Sequence, residues 1–262
     1  MKIDERAILI TGAASGLGAE FARQLADQGA KLILWDREEA KLRALASELG
    51  AHHEVVDLRD ADAIQRAMRS SRKAAGRIGH VLLSAGILAV GDASSVSLED
   101  NRAMMEVNYL GSIAVAHAAL PILEADQETA QRSILLFVSS VAGIRGFPQL
   151  AGYSASKFAI VGYAEALRTE LRKKRIDIRV LLPSPMKTPM VDALAEIPPV
   201  YRLSKMYTAE ATVKYTLKAL DRPGFKILPD GNARLVNMLL RRAPKLLDRV
   251  LGLAEHLPSR QN

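Results

Sequence analysis

The sequence Ala7-Ile-Leu-Ile-Thr-Gly-Ala-Ala-Ser-Gly-Leu-Gly18 joins a short apolar run to a turn that contains three glycines. The apolar run, Ala7 to Thr11, predicts a buried strand of a parallel sheet. A helix is expected from Ala19 to Gln28, because apolar residues recur there at helical spacing. A second apolar run, Lys31 to Trp35, predicts another strand, which Asp36 closes. Together these features predict a strand–helix–strand unit with glycines at its first turn.

The glycine turn and Asp36 point to a dinucleotide site. Gly12, Gly16 and Gly18 permit a tight turn and close approach of a pyrophosphate, and the helix that follows offers free N–H groups and a favourable dipole. An acidic residue at the end of the second strand can accept hydrogen bonds from the ribose hydroxyls of an adenosine. The glycines alone could instead serve only to permit the turn. A Walker-type phosphate loop is excluded, because no Gly-Lys-Ser or Gly-Lys-Thr follows.

Strands and helices continue to alternate along the chain. Further strands are predicted at 53–56, 81–83, 133–138 and 177–182, and further helices at 38–49, 60–77, 104–120 and around Tyr153 to about Lys174. This alternation predicts a Rossmann-type, doubly wound α/β fold with about seven parallel strands and helices on both faces. We expect one dinucleotide-binding and catalytic domain, residues 1–232, followed by a basic amphipathic extension, 233–262, that is not an independent domain.

Composition narrows the class of protein. The chain has 262 residues, 49% of them hydrophobic, which is enough for a large core, and it has no cysteine, which excludes disulfides, thiolate metal sites and cysteine nucleophiles. The five histidines show no metal-ligand spacing, so we expect no metal site. No uninterrupted apolar run approaches the roughly 18 residues that span a bilayer, and no leader precedes the first strand. We therefore expect a cytoplasmic protein.

The net charge of +7 belongs to one region, because residues 201–262 carry twelve basic and five acidic residues while the rest balances. Within the extension, Pro244 interrupts a helical pattern of apolar side chains, and cations occupy the other face: Arg234, Arg241, Arg242, Lys245 and Arg249. Such a segment can pack its apolar side on the domain or a partner subunit, or it can lie on an anionic membrane surface. Both readings stay open here. A nucleic-acid partner is not expected, since no nucleic-acid motif accompanies the charge.

Glycines, polar residues and one proline lie where the predicted strands end. They are Gly12 to Gly18, Asp36, Asp57, Ser84 to Gly86, Ser140 and Pro183. Ligands of doubly wound sheets bind at the carboxyl ends of the strands. The sequence therefore predicts one site at that edge of the sheet.

Tyr153 and Lys157 are four residues apart on a predicted helix and should project side by side. An adjacent ammonium is expected to lower the pKa of the tyrosine toward neutrality and make it a usable acid or base. A Tyr-x-x-x-Lys pattern on its own more often marks a solvated helix face. In isolation Ser140 would cap a turn, and Asn108 would be a satisfied core polar group.

Taken together, these residues resemble the short-chain dehydrogenase/reductase family, in its compact single-domain branch. Thr11 to Gly18 matches the family's TGxxxGxG motif, Asn108 matches its helix asparagine, and Tyr153 with Lys157 matches YxxxK. Ser140 lies 13 positions before Tyr153, which is the family's spacing, whereas Ser139 is one position off. The resemblance runs from Thr11 to about Thr188.

Two positions depart from the family pattern. Asn-Ala-Gly after the fourth strand is Ser84-Ala85-Gly86 here, and Pro-Gly after the sixth strand is Pro183-Ser184. The first departure is expected to loosen a structural hydrogen bond near the adenosine ribose. The second is expected to alter the backbone beside the nicotinamide.

The resemblance implies hydride transfer between a nicotinamide and a carbonyl or secondary alcohol carbon. It implies four catalytic residues: Asn108, Ser140, Tyr153 and Lys157. Tyr153 would exchange the proton, Ser140 would hydrogen-bond the substrate oxygen, Lys157 would hold the tyrosine pKa down and bind the nicotinamide ribose, and Asn108 would hold a relay water. The candidate cofactor-binding residues are Gly12, Ser15, Gly16, Leu17, Gly18, Asp36, Arg37, Asp57, Leu58, Ser84, Ala85, Gly86, Tyr153, Lys157, Pro183 and Thr188.

The remaining expectations concern cofactor, substrate and assembly. Asp36 favours NAD, because its carboxylate repels the 2′-phosphate of NADP, while Arg37 keeps NADP as the alternative. Apolar residues near the expected cleft and in a cover after Thr188 favour a small apolar alcohol or carbonyl substrate. We expect a homodimer or homotetramer, with peripheral membrane contact through the extension as an open alternative. A different functional class, a catalytically silent dinucleotide-binding or membrane-associated interaction protein on the same fold, also stays open.

Overall fold

The computed structural model describes residues 3–126, 131–194, 198, 201 and 205–255. Seven strands form one parallel sheet in the order β3-β2-β1-β4-β5-β6-β9. These strands are β1 Ala7–Thr11, β2 Leu32–Asp36, β3 His52–Val55, β4 Ile78–Leu83, β5 Ser133–Val138, β6 Ile176–Leu181 and β9 Lys226–Ile227. Two short strands, β7 Met186–Lys187 and β8 Tyr207–Thr208, form a separate parallel pair. The predicted fold class and the seven-stranded sheet are confirmed.

Helices cover both faces of the sheet. They are α1 Gly16–Ala26, α2 Glu39–Leu49, α3 Ala61–Ala75, α4 Leu98–Met104, α5 Ser112–Ala125, α6 Ala151–Glu170, α7 Pro189–Asp192, α8 Ala209–Ala219, α9 Gly231–Arg242 and α10 Pro244–Glu255. A π-helical segment, Met105–Gly111, joins α4 to α5, and a 3₁₀ turn, Val141–Gly143, follows β5.

The core lies in two layers, because successive side chains of a strand point to opposite faces. In β1, Ala7 and Leu9 pack on one side with α3, α5 and α6, while Ile8 and Ile10 pack on the other with α1, α2 and α8. Every residue of β1 is buried. This explains why the strand is an uninterrupted apolar run rather than an alternating one.

Several boundaries differ from the predictions. The first helix begins at Gly16 rather than Ala19, so two glycines of the turn already belong to its first turn. Strand β4 begins three residues earlier than predicted, and β9 was not predicted because it has only two residues. The helix predicted from 104 to 120 runs from Leu98 to Ala125 and contains the π-helical segment. The spacing of apolar residues does not predict that segment.

The continuous helical stretch Leu98–Ala125 is also long and apolar enough to cross a membrane by length and composition, which the sequence analysis did not anticipate. Half of its most apolar window is buried in the protein, where Val115 and Leu123 pack against the sheet. Helices in the core of a globular domain pass the same test. The stretch is therefore weak support for a membrane span.

The C-terminal extension consists of two helices separated at Pro244, as the sequence predicted. One side of α9 and α10 packs on the domain, where Ala233, Leu247 and Leu251 contact a cluster around the 3₁₀ turn after β5. An ion pair between Arg145 and Asp248 (2.7 Å) adds a polar contact to this packing. The extension thus lies against the part of the chain that carries Ser140.

Candidate active site

The carboxyl ends of the strands border a cleft of about 250 Å³. Every predicted cofactor-binding residue lines this cleft, and so do three of the four predicted catalytic residues, Ser140, Tyr153 and Lys157. The fourth, Asn108, is fully buried behind the wall, where its neighbour Val107 reaches the cleft instead. Residues from seven separate segments of the chain therefore meet at the edge that the sequence predicted.

The backbone packs closely around the glycine turn and leaves little room for side chains there. Gly12 has a φ of +68°, and a Cβ atom there would come 2.6 Å from the Cα atom of Ala85. A Cβ at Gly18 would come 2.0 Å from the carbonyl oxygen of Gly12. Gly16 has a φ of +52°, which favours glycine, and a Cβ there would lie at ordinary contact distance (3.7 Å) from the Thr188 side chain. A side chain is therefore excluded by close packing at Gly12 and Gly18 and disfavoured by the backbone conformation at Gly16.

Helix α1 begins beneath this turn with its first N–H groups uncapped. Ser15, the residue before the helix, makes no side-chain capping hydrogen bond, and no acidic residue lies in the first turn. The free N–H groups and the positive end of the helix dipole suit a phosphate. The glycine cradle and this helix N-terminus together fit the pyrophosphate of a dinucleotide.

Asp36 is fixed at the end of β2 by two backbone hydrogen bonds. Its carboxylate accepts from the N–H of Ala14 (2.9 Å) and from the N–H of Glu38 (2.9 Å). Each oxygen keeps further lone pairs for the hydroxyls of a ribose. Arg37 lines the rim of the cleft, is about half exposed and forms a long ion pair with Glu38 (3.8 Å).

Ser140, Tyr153 and Lys157 converge at the opposite end of the cleft. The Ser140 side chain lies beside that of Tyr153, and its Oγ accepts from the N–H of Ala142 (3.1 Å) and lies 3.5 Å from the carbonyl oxygen of Pro183. The Nζ atom of Lys157 lies 5.6 Å from the centre of the Tyr153 ring and donates to the carbonyl oxygen of Val138 (3.1 Å). Helix α6 carries both Tyr153 and Lys157, one turn apart, as predicted.

The predicted lowering of the Tyr153 pKa by Lys157 is wrong for the protein alone. Burial raises the pKa of Tyr153 to about 12, and a hydrogen bond with Ser140 only partly opposes this change. Burial also lowers the pKa of Lys157 to about 8. Desolvation therefore outweighs the attraction between the ammonium and the phenolate, because the ammonium lies over the ring and points to a backbone carbonyl.

Asn108 lies in the π-helical segment and uses its amide within the protein. Its Oδ1 accepts from the N–H of Ile87 (2.7 Å), and its Nδ2 donates to the carbonyl oxygen of Ile87 (3.0 Å) and to Oγ of Ser156 (2.9 Å). Both amide hydrogens are thus used, and Asn108 fixes the backbone that follows Gly86. The relay water predicted for Asn108 stays a prediction.

A family model described as short chain dehydrogenase matches residues 6–198. The chain belongs to the short chain dehydrogenase family. The match contains the glycine turn, Asn108, Ser140, Tyr153 and Lys157, so the resemblance found in the sequence is confirmed. Membership places the chain among the NAD(P)-dependent oxidoreductases.

Curated relatives of this short chain dehydrogenase are diverse. An uncharacterized oxidoreductase, YxnA, from Bacillus subtilis is 28% identical over 95% of this chain and 72% of its own length. Sulfoacetaldehyde reductase 2 from Chromohalobacter salexigens is 35% identical over 69% of this chain and 73% of its own length. The chain spans about three fifths of the length of several other curated relatives.

A solved structure gives the fold an independent comparison. A short chain dehydrogenase/reductase from Burkholderia phymatum, solved in complex with NAD, aligns with a TM-score of 0.83 at 26% identity. The alignment covers 94% of this chain and 96% of that one.

At both positions that depart from the family pattern, the structure shows a specific polar contact. At Ser84-Ala85, the N–H of Ala85 lies 3.4 Å from the Thr11 hydroxyl, a long contact across the glycine turn. At Pro183-Ser184, both the N–H (3.0 Å) and the hydroxyl (2.6 Å) of Ser184 donate to the carboxylate of Asp230. Asp230 is buried and also caps α9 by accepting from the N–H of Ala233 (2.8 Å).

Sequence reasoning did not assign several residues that line the cleft of this short chain dehydrogenase. They are Trp35, Glu38, Val56, Val107, Val138, Ser184, Met186 and Pro189. Most of them directly adjoin a predicted site residue, and this adjacency is the signal that could have found them. Ser139 also reaches the cleft, but its hydroxyl donates to the carbonyl oxygen of Lys157 (2.9 Å), which ties β5 to α6.

Proposed function

We propose that this short chain dehydrogenase transfers a hydride between a nicotinamide dinucleotide and an apolar ketone, aldehyde or secondary alcohol. The observation that carries the proposal is the convergence of Ser140, Tyr153 and Lys157 in the same cleft as the glycine turn. The cofactor supplies or accepts the hydride when it is bound. The protein supplies orientation and the proton.

Tyr153 exchanges the proton with the substrate oxygen in this proposal, because its hydroxyl lies in the cleft beside Ser140. Ser140 hydrogen-bonds the same oxygen and stabilises the charge that develops on it. Lys157 lies one turn further along α6, near the Tyr153 ring, where it holds positive charge beside the phenol. Asn108 acts behind them by fixing the backbone after Gly86.

Tyr153 is protonated at neutral pH in the protein alone, which is the form that carbonyl reduction requires. With its pKa raised to about 12 by burial, the tyrosine carries its proton and is ready to donate it. Oxidation requires the same group to accept a proton as a phenolate. The oxidative rate is therefore expected to increase more steeply with pH than the reductive rate.

An apolar substrate is favoured by the side chains at the catalytic end of the cleft. Ile87, Leu88, Met190, Val191 and Tyr201 all line it there. Among the predicted cover residues, Met190, Val191, Leu194, Pro198 and Tyr201 lie within the described chain, and Ile197 and Pro199 lie outside it. A polar aldehyde is the informative competitor, because a relative carries the name sulfoacetaldehyde reductase.

The test is the absorbance change at 340 nm with NADH and NADPH across apolar ketones and aldehydes, with sulfoacetaldehyde as the polar competitor. Wild type should reduce apolar carbonyls, and Tyr153→Phe should lose about 10²–10⁴-fold in kcat because the proton donor is gone. Equal rates in the two proteins would refute the role of Tyr153. Reduction of sulfoacetaldehyde with no turnover of any apolar carbonyl would refute the substrate class.

We propose NAD as the preferred cofactor. Asp36 supports this preference because its fixed carboxylate would lie against a 2′-phosphate, while Arg37 lies at the rim and is paired with Glu38. The ratio of kcat/KM with NADH to that with NADPH tests it. A preference for NADPH above tenfold would overturn it.

A second proposal concerns the exposed side of the extension, which we infer makes peripheral contact with an anionic lipid surface. Leu235, Met238 and Leu246 are 44–50% exposed although they are apolar. Five exposed cations surround them: Arg234, Arg241, Arg242, Lys245 and Arg249. Two copies of this positively charged face would repel each other, whereas anionic lipid headgroups would attract it.

Co-sedimentation with vesicles tests this second proposal. Wild type should pellet with vesicles that contain anionic lipid and not with neutral vesicles, and Arg241→Glu/Arg242→Glu should stay in the supernatant. Lys173→Glu/Lys174→Glu, a matched charge reversal outside the extension, should still pellet. Equal sedimentation of wild type and the Arg241/Arg242 variant would exclude the contact. The cytoplasmic location and the homodimer or homotetramer stay predictions.

A further inference from the structure

A second, smaller cavity of about 40 Å³ adjoins the catalytic end of the cleft. Three residues, Ser140, Ser184 and Tyr201, line both spaces. The second cavity therefore begins at Ser140, whose side chain lies beside that of Tyr153.

The wall of the second cavity is mostly apolar and comes from two distant parts of the chain. Val141, Phe147 and Leu150 belong to the segment between β5 and α6. Asn232 and Val236 belong to α9, which leads into the C-terminal extension, and Val236 lies within that extension. The extension thus closes one side of a space that opens at the catalytic serine.

The position of α9 is fixed by Asp230. Its carboxylate accepts from the N–H and the hydroxyl of Ser184 and, at the same time, from the N–H of Ala233 in the first turn of α9. All three distances are between 2.6 and 3.0 Å, and Asp230 and Ser184 are both 4% exposed. A glycine at position 184 would lack the hydroxyl bond, so this attachment depends on the residue at which the chain departs from the family pattern.

We propose that this cavity is the subsite for the smaller substituent on the substrate's carbonyl carbon, with Val236 as the residue that limits its size. The proposal rests on the proposed function and extends it. A cavity needs roughly 10–15 Å³ of such volume for each water molecule, so 40 Å³ holds about three atoms of that size. The expected ligand is a compact apolar group, from methyl to isopropyl. The larger substituent then occupies the wider cleft.

The test compares ketones that share one long alkyl chain and carry methyl, ethyl, isopropyl or phenyl on the other side. Wild type should prefer the three small groups over phenyl. Val236→Ala should raise kcat/KM for the phenyl ketone relative to the methyl ketone by about tenfold or more, and Val236→Phe should lower it for isopropyl relative to methyl by a similar factor. Leu239→Ala, a truncation on the same helix at a residue that does not line the cavity, should leave both ratios unchanged.

Asp230→Asn tests the attachment of α9 to Ser184, with Asp60→Asn as its matched control. Asp60 caps α3 by accepting from the N–H of Ala63 (2.9 Å), so its replacement alters a helix cap away from the cavity. Asp230→Asn should change the isopropyl-to-methyl ratio several-fold. Asp60→Asn should change only the thermal midpoint.

The outcomes separate this proposal from the proposed function. In one outcome, both Val236 variants reduce methyl ketones and still keep the phenyl-to-methyl and isopropyl-to-methyl ratios of kcat/KM within twofold of wild type. That result would overturn the subsite and leave the proposed reaction intact. Absence of any carbonyl reduction by wild type with either cofactor would overturn the proposed function and the subsite with it. An equal change of ratio in Leu239→Ala would show a general loosening of the extension and would also overturn the subsite.

Discussion

The two edges of the parallel sheet both bury charged side chains, but they use them differently. At the amino edge, just before β1, the Arg6 guanidinium is 1% exposed and donates to Asp4 and to Oγ of Ser133 (3.1 Å). Nearby, Asp126 pairs with Arg72 and accepts from the N–H of Ile78 (3.1 Å), where β4 begins. These charged groups at the amino edge have protein partners that tie loops to strands.

At the carboxyl edge the buried groups face a cleft and are less fully paired. Among the described residues, the Lys157 ammonium has one acceptor at hydrogen-bond distance, the carbonyl oxygen of Val138, and burial lowers its pKa to about 8. Burial also shifts the pKa of Tyr153, but upward, because the charged form of a tyrosine is the deprotonated one. The difference teaches that burial of Arg6 and Asp126 at the amino edge is compensated within the fold, whereas burial of Tyr153 and Lys157 at the carboxyl edge leaves groups ready for a ligand. Four variants test this contrast.

The largest effect is expected from Lys157→Met. Kcat/KM should fall by about 10³-fold or more, because the positive charge beside Tyr153 is lost. Stability at pH 7 should rise by about 1–3 kcal/mol, because burial of the ammonium costs about 1.4 kcal/mol for each tenfold loss of proton affinity. A folded pKa below the unfolded value means that this cost is present at pH 7 and declines between pH 8 and 10.5. Kinetics and denaturant unfolding on the same preparation measure both; a variant that is both active and less stable would contradict the contrast.

Arg6→Met is the counterpart at the amino edge. It should lower the free energy of unfolding by about 3 kcal/mol, because it leaves Asp4 and the Ser133 hydroxyl without their partner. Kcat/KM per folded molecule should stay within twofold of wild type. Urea unfolding and steady-state kinetics at a temperature below the transition measure the two quantities. A tenfold loss of kcat/KM in the folded variant would show that the two edges are not independent.

His80→Asn tests the pH dependence of the amino edge. The ring of His80 is buried in β4, its Nδ1 accepts from the N–H of Ile134 (3.1 Å), and burial lowers its pKa to about 4. A folded pKa below the unfolded value of 6.5 means that the unfolded state binds more protons between pH 6.5 and 4, so stability falls as the pH falls through that window.

Wild type should lose up to about 3 kcal/mol from this group between pH 6.5 and 4, and His80→Asn, whose amide oxygen can accept the same hydrogen bond, should lose correspondingly less. Unfolding by urea at several pH values measures the two slopes. Identical slopes would show that His80 does not govern the acid stability of this edge.

The smallest effect is expected from Asp36→Ala at the carboxyl edge. Cofactor preference should move toward NADPH by about tenfold, or roughly 1.4 kcal/mol, because the like-charge repulsion of a 2′-phosphate is removed. Asp57→Ala is a useful comparison, since Asp57 lines the same cleft but is paired with Arg59 (2.5 Å). It should move the preference by less. An unchanged ratio in Asp36→Ala would remove the argument for NAD.

The sequence predicted the sheet, the edge that carries the site and most of its lining residues. It could do so because a strand end, a glycine turn and a Tyr-x-x-x-Lys pair are local patterns with fixed geometry. The π-helical segment at Asn108 was missed, because one extra residue per turn has no apolar signature. The pKa of Tyr153 was wrong because desolvation depends on the whole fold. The contact between Ser184 and Asp230 joins residues 46 positions apart, and no local pattern announces it.

Reduction with NADH that carries deuterium at both C4 positions tests the central claim most directly. A ketone reduced by the wild-type protein in ordinary water should carry deuterium at the new carbinol carbon, because hydride passes from the cofactor to carbon while the proton on oxygen comes through Tyr153. The same reduction with ordinary NADH in deuterium oxide should leave that carbon free of deuterium. Carbinol carbon that takes its hydrogen from solvent in both experiments would contradict the assignment of the carboxyl edge as a hydride-transfer site.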